Sequence, residues 1–168
     1  MHVIGEKVLY SSNGVMEIAD IRDEEIGDTV RRYYVLNKLG STSAAQIFVP
    51  VDNERLVGNM LPILTKEEAL DIISRASEIS ELDWPTSSRV RADKFQSVLD
   101  SGDREKIIAL IKSIHNNGVR RKLEGKRNYL SDDTLMGRAK RLIYSELALV
   151  LGKSEEELGD FIVENSEQ

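Results

Sequence analysis

Residues 65–76 read Thr65-Lys66-Glu67-Glu68-Ala69-Leu70-Asp71-Ile72-Ile73-Ser74-Arg75-Ala76, and the fold turns on them. Thr65 and Glu68 stand three apart, the spacing of a capping box: the hydroxyl accepts from an orphan amide and the carboxylate reaches back to the cap's own N–H. Behind the box, Ala69, Ile72, Ile73 and Ala76 recur on one helical stripe. From residue 65 onward the apolar period is 3.6, whereas upstream it is 2. A β module followed by an all-helical module, α+β in class, is therefore expected, with the boundary set at residues 1–60 and 61–168.

Upstream, strands are expected at 6–10, 15–21, 31–39 and 45–51, which are rich in Val, Ile, Tyr and Phe. Ser11-Ser12-Asn13-Gly14 separates the first two, and Asn-Gly is a strong hairpin signal because both residues tolerate positive φ. Gly27-Asp28 and Gly40-Ser41 supply the next reversals. Short strands joined in this way make an antiparallel meander, most simply a small SH3-like or Tudor-like barrel. Its edge strand offers main-chain hydrogen bonds to a partner's sheet.

Downstream, a second helix is expected over 88–100, burying Ala92, Phe95, Val98 and Leu99, with Gly102 just past its end. A third starts near Asp103 and carries Ile107, Leu110, Ile111 and Ile114; Asn117-Gly118 either stops it or lets it run on through Arg121. A fourth is expected after an N-cap at Ser131 and runs to Leu151, before Gly152. Its apolar positions, Leu135, Met136, Ala139, Leu142, Ile143, Leu147 and Val150, cover more than one stripe and suit the centre of a bundle. Ser154 and Glu157 form another capping box, opening a short helix with Leu158, Phe161 and Ile162.

Composition excludes much. The chain has 168 residues and no cysteine, which removes disulfides, thiol nucleophiles and thiolate metal sites. His2 and His115 are far apart with no ligand-spaced neighbour, so no metal or cofactor is expected. No apolar run approaches the ~20 residues of a membrane span, and the first residues lack a basic-then-apolar leader; a cytoplasmic protein is expected. Gly152-Lys153-Ser154 mimics the end of a phosphate loop, but Leu147 occupies the position of its first glycine and a helix precedes it. Glu67-Glu68 and Asp132-Asp133 are adjacent carboxylates in first helical turns, where they complement the helix dipole. A hydrolase built on Asp132 or Glu146 has no base to work with. No enzyme and no small-molecule substrate are expected.

The net charge of −6 conceals a division. Residues 1–83 carry 8 Lys and Arg against 15 Asp and Glu, residues 84–144 carry 14 against 7, and residues 145–168 carry 1 against 7. A basic middle of net +7 thus lies between flanks of −7 and −6, and segment charge is what bears on partners. Trp84, the one tryptophan, opens this middle and precedes Pro85. A residue before proline is pushed out of the α region, so Trp84 should lie on the extended approach to the second helix. Thr86, Ser87 and Ser88 follow, then Arg89, Arg91 and Lys94. Hydroxyls and free amides at a helix start beside cations make a phosphate seat, and a large ring next to it can pry open a base step from the minor groove. The competing reading seats Trp84 between the modules and leaves the cations solvated, making the chain a protein–protein interaction module with no direct DNA contact.

Taken together, these residues resemble the CarD family of bacterial transcription regulators. In the first module the resemblance rests on Gly5-Glu6-Lys7-Val8-Leu9-Tyr10, Gly14, Tyr33-Tyr34-Val35-Leu36 and Val49-Pro50-Val51-Asp52-Asn53. In the second it rests on Trp84, Arg89, Arg91, Ala92, the junction Leu99-Asp100-Ser101-Gly102-Asp103, and the run from Ala139 to Ala148. The resemblance implies a Tudor-like module, shared with the transcription-repair coupling factor, that binds the RNA polymerase β subunit. It also implies a helical module touching promoter DNA at the upstream edge of the bubble, without sequence specificity. There a tryptophan wedge in the minor groove would stabilise the open complex. Trp84 would be the wedge, with Arg89 and Arg91 as backbone contacts; Lys94, one turn along, is added from its position. Arg22 and Phe48 are the residues expected near the polymerase. Phe48 stands where members often carry arginine, and Pro85-Thr86-Ser87-Ser88 lengthens the link from the tryptophan to the first cation. The setting implied is a bacterial cytoplasm, on the nucleoid through polymerase.

Overall fold

The computed structural model describes residues 1–39, 45–154 and 156–158. The chain divides into two units, Met1–Ile63 and Leu64–Gln168. The first holds strands β1 (Lys7–Tyr10), β2 (Val15–Ile26), β3 (Thr29–Lys38), β4 (Gln46–Pro50) and β5 (Met60–Pro62), with a short helix α1 (Glu54–Gly58) before the last. They form one antiparallel sheet in the order β4-β3-β2-β1-β5. Side chains alternate along strands, and one face buries Val8, Tyr10, Met16, Ile18, Tyr34, Leu36, Val49 and Met60 as a single cluster. β4 and β5 stand at the two ends of the order, and no ladder among the described residues joins them.

Three local details differ from expectation. The first hairpin does not turn on Asn13: Ser11–Asn13 form a 3-10 turn, and the positive φ angles fall at Ser11 (46°) and Gly14 (90°). The Tyr10 amide still closes the hairpin by donating to the Gly14 carbonyl at 3.0 Å. β2 and β3 run further than their apolar residues, because charge pairs hold the extension. Arg32 meets its cross-strand neighbour Asp23 at 2.9 Å, and Arg22 meets Glu24, two residues along, at 2.6 Å. The ribbon then reverses at Gly27-Asp28 with Gly27 at φ 64°. Finally, the boundary expected between residues 60 and 61 cuts β5, which pairs with β1. A three-residue strand is too short to register as a period. The Gly40-Ser41 reversal lies outside the described residues.

The second unit comprises α2 (Lys66–Ser74), α3 (Ser88–Ser101), α4 (Arg104–Leu123) and α5 (Leu130–Leu151). Its caps are those the sequence marks, except at the start of α5. Thr65 and Glu68 make the reciprocal box, and Ser87 and Asp103 cap α3 and α4. Gly102 and Gly152 stop α3 and α5 in the left-handed region. Ser154 and Glu157 exchange their two bonds at 3.2 and 2.8 Å, and Leu158 is fully buried; Phe161 and Ile162 lie outside the described residues. α5 packs on α2, α3 and α4 around Phe95, Leu99, Ile107, Leu110, Leu135, Ala139, Leu142 and Leu147. α4 continues past Asn117-Gly118, and Asn128 occupies the space where a β-carbon on Gly118 would sit, its Oδ1 only 2.9 Å from that point. α5 begins one residue before the expected cap: Tyr129 is the N-cap and Ser131 lies inside the first turn. No helix among the described residues is long and apolar enough to cross a membrane.

Candidate nucleic-acid interface and sheet surface

The segment leading to Trp84 has no regular structure, so its backbone groups need partners from elsewhere. One face of α4 supplies them. Lys112 Nζ donates to the carbonyls of Ser77 and Ile79 at 2.8 Å each. The Leu82 amide donates to Ser113 Oγ at 2.8 Å, while that hydroxyl donates to the Ala109 carbonyl. Asn116 and Arg120, successive turns along the face, bind the two oxygens of Glu81 at 2.8 and 3.1 Å. The Asn116 amide, with Arg120 beside it, holds the Glu81 carboxyl below the usual glutamate range.

Past this tether, Trp84 is half-buried on its own unit. Its ring meets the buried Phe95 edge-on, centroids 5.4 Å apart, and the Arg91 guanidinium carbon lies 4.9 Å from the indole centroid. Thr86, Ser87, Ser88 and Arg89 follow, all exposed. Ser87 is the cap of α3. Among the described residues Arg89 makes no ion pair. Lys94 is half-buried and turns back, donating to the Asp83 carbonyl at 3.1 Å with the Asp83 carboxylate 3.7 Å away.

Arg91 requires a correction. Expected as a backbone contact, it is 1% exposed, among the largest fully buried side chains of the described residues. Its Nε donates to Asp132 Oδ1 at 3.2 Å and its Nη1 to the Pro85 carbonyl at 3.1 Å. Helical phase explains the burial. Arg91, Phe95 and Leu99 recur at four-residue spacing on the face of α3 that packs inward. Sequence reasoning weighed Arg91 by its charge and missed its position on the apolar stripe. It also missed Tyr129, whose ring lies 4.9 Å from the Arg91 guanidinium and 4.0 Å from that of Arg121.

The two carboxylates considered for hydrolysis are both engaged by arginines. Asp132 holds Arg91; Glu146, 0% exposed, binds Arg104 through both oxygens at 2.7 and 3.0 Å and also accepts the Leu64 amide. Other cations of the basic middle are likewise paired: Arg120 with Glu81, Lys106 with Asp103, Lys126 with Glu124. Lys112, Arg121 and Arg138 hydrogen-bond to neutral oxygens instead, and among the described residues the side chains of Arg89, Lys122, Arg127, Lys140 and Arg141 have neither an ion pair nor a hydrogen bond.

On the sheet, Arg22 and Phe48 come together. Arg22 faces Tyr33 across the β2–β3 ladder and Phe48 faces Val35 across β3–β4, on the face opposite the main cluster. The Arg22 guanidinium lies 5.6 Å from the Phe48 centroid, and Tyr33 meets the same ring edge-on at 6.1 Å. Phe48 is 41% exposed, an apolar plate flanked by a cation on the outer surface.

Residues 3–61 match the family model of the CarD-like/TRCF RID domain, which is the whole sheet but for its last residue; residues 62–168 lie outside the match. No curated protein matches the chain.

Proposed function

We propose, from the premise that this chain carries a CarD-like RNA polymerase-interacting domain at residues 3–61, that it couples polymerase to melting promoter DNA. The sheet, read as an opened Tudor-like barrel, binds the polymerase β subunit through the surface around Arg22 and Phe48. The helical unit meets the upstream edge of the bubble, where Trp84 wedges into the minor groove and slows its closure. No chemical step is involved; the effect is a change in the lifetime of the open complex. The setting is the bacterial cytoplasm, on the nucleoid through polymerase.

One observation carries this reading. Trp84 is half-buried on the irregular approach to α3, with exposed hydroxyls and Arg89 shortly after it. Unstacking a base step costs a few kcal/mol, so a wedge must be a large ring on a supported mount. The tether to α4 and the contact with Phe95 supply that support. Arg89 and the hydroxyls of residues 86–88 stand where a phosphate would lie.

The test is open-complex lifetime on several promoters with wild-type protein and Trp84→Ala. The variant is expected to bind polymerase normally and to shorten the lifetime. Unchanged lifetimes with a folded variant would remove the wedge. The half-burial of Trp84 favours a second reading, an interaction module without DNA contact. Acrylamide quenching separates the two, since a wedge ring stays quenchable in the free protein and becomes protected when DNA is added.

A further inference from the structure

We infer that Arg91 is a positioning residue, a buried cation that grips the Trp84 ring and the backbone carbonyl of the next residue, Pro85, and uses Tyr129 as its second jaw. The inference rests on the wedge reading above and adds what holds the wedge in place.

A buried guanidinium is costly unless its charge and donors are matched. Here the matching is incomplete: Arg91 Nη2 and Asp132 Oδ2 are both buried with no hydrogen-bond partner. A side-by-side, two-bond pair would have used both atoms. Instead the guanidinium is turned so that Nη1 reaches the carbonyl of Pro85, the residue after Trp84, while its carbon lies 4.9 Å from both the Trp84 and the Tyr129 centroids. Apolar residues in place of a buried ion pair are often as stable or more so. What the cation adds is orientation, because a guanidinium both stacks on rings and donates in fixed directions.

The grip extends beyond one residue. Tyr129 is the N-cap of α5, and Asp132 sits in the first turn of the same helix. Behind Tyr129, Arg121 near the end of α4 stacks at 4.0 Å and donates to the Arg127 carbonyl at 2.8 Å. Trp84, Arg91, Tyr129 and Arg121 therefore alternate ring and cation across the start of α3, the end of α4 and the start of α5. A ring held this way reaches DNA already in one rotamer, which removes ordering entropy from the insertion step.

Trp84 is the only tryptophan of the chain, so its fluorescence reports the grip directly in the full-length protein. In Arg91→Met, which keeps length and packing but removes the cation, acrylamide quenching is expected to rise about two- to fivefold, the population shift that losing one cation–π contact produces. The fast component of Trp84 anisotropy decay should grow with it. Open-complex lifetime should fall toward that of Trp84→Ala, and the double variant should be no worse than Trp84→Ala alone. A folded Arg91→Met with wild-type quenching and anisotropy overturns the inference. If that variant fails to fold, Tyr129→Leu decides at a partly exposed position: looser Trp84 motion supports the clamp and unchanged motion overturns it. Should Trp84→Ala leave lifetimes unaltered, the wedge reading fails, and the anisotropy of Arg91→Met still judges the grip by itself.

Discussion

Arg104 and Arg91 are cations drawn into the same helical unit, yet their surroundings ask different things of them. Glu146 meets Arg104 with two bonds and takes the Leu64 amide as well, so two groups from distant parts of the unit converge on one carboxylate. Glu146→Ala leaves a cation and an amide without that partner. Breaking a buried pair from one side costs about 3–5 kcal/mol, and urea unfolding should show a loss of that order. Phe48 belongs to the other extreme, an exposed ring with Arg22 and Tyr33 around it. Stability should scarcely notice Phe48→Ala. Polymerase binding should weaken by roughly tenfold or more if the ring is an anchor of the interface, since truncating such anchors costs about 2 kcal/mol, and a pull-down titration reads it.

Among the elements, the helices of the second unit were legible because their signals are local. A hydroxyl at the cap, a carboxylate three residues on and a glycine past the end all act within one turn. The start of α5 escaped because Tyr129 caps it with no side-chain bond, leaving the good cap Ser131 to mislead. β5 and α1 escaped because three and five residues are too few to show a period. The service α4 gives to residues 77–82 was equally invisible, since its partners there are two carbonyls, an amide and one carboxylate of a segment with no pattern. That service has a pH signature. A carboxyl whose folded-state pKa is lowered contributes above its unfolded pKa and loses that contribution as pH falls through the folded one. Glu81 is such a group, so the protection of residues 79–84, taken relative to the intrinsic exchange rate at each pH, should fall on acidification below the ordinary glutamate range while that of the α5 core is kept. Uniform protection down to that pH would show that Glu81 does not hold the segment.

At the scale of the molecule, the basic middle is less available than its count suggests. Several cations are held within the unit by ion pairs or hydrogen bonds, and among the described residues five, Arg89, Lys122, Arg127, Lys140 and Arg141, have side chains with neither and are free to turn to phosphates. Each phosphate neutralised contributes about −0.9 to the slope of log K against log salt, so DNA binding by the free protein should be weak, with a slope no steeper than about −5. Arg89→Ala should lower its magnitude by about 1, whereas Arg91→Met should leave it unchanged, the reverse of what charge counting predicts for two neighbouring arginines. A fluorescence titration of a duplex at several salt concentrations distinguishes them.

The sequence by itself determined the class of fold, the change from strands to helices near residue 65, most helix ends, and a family likeness whose first part is matched at residues 3–61. These follow from interactions between residues a few positions apart, which a linear reading contains. Only the tertiary structure decided that Arg91 is inside and Arg89 outside, because Arg91's partner Asp132 is 41 positions away and on another helix. Tyr129 joined Trp84 for the same reason. Charge is a property of a residue; whether that charge meets solvent depends on which elements pack against it.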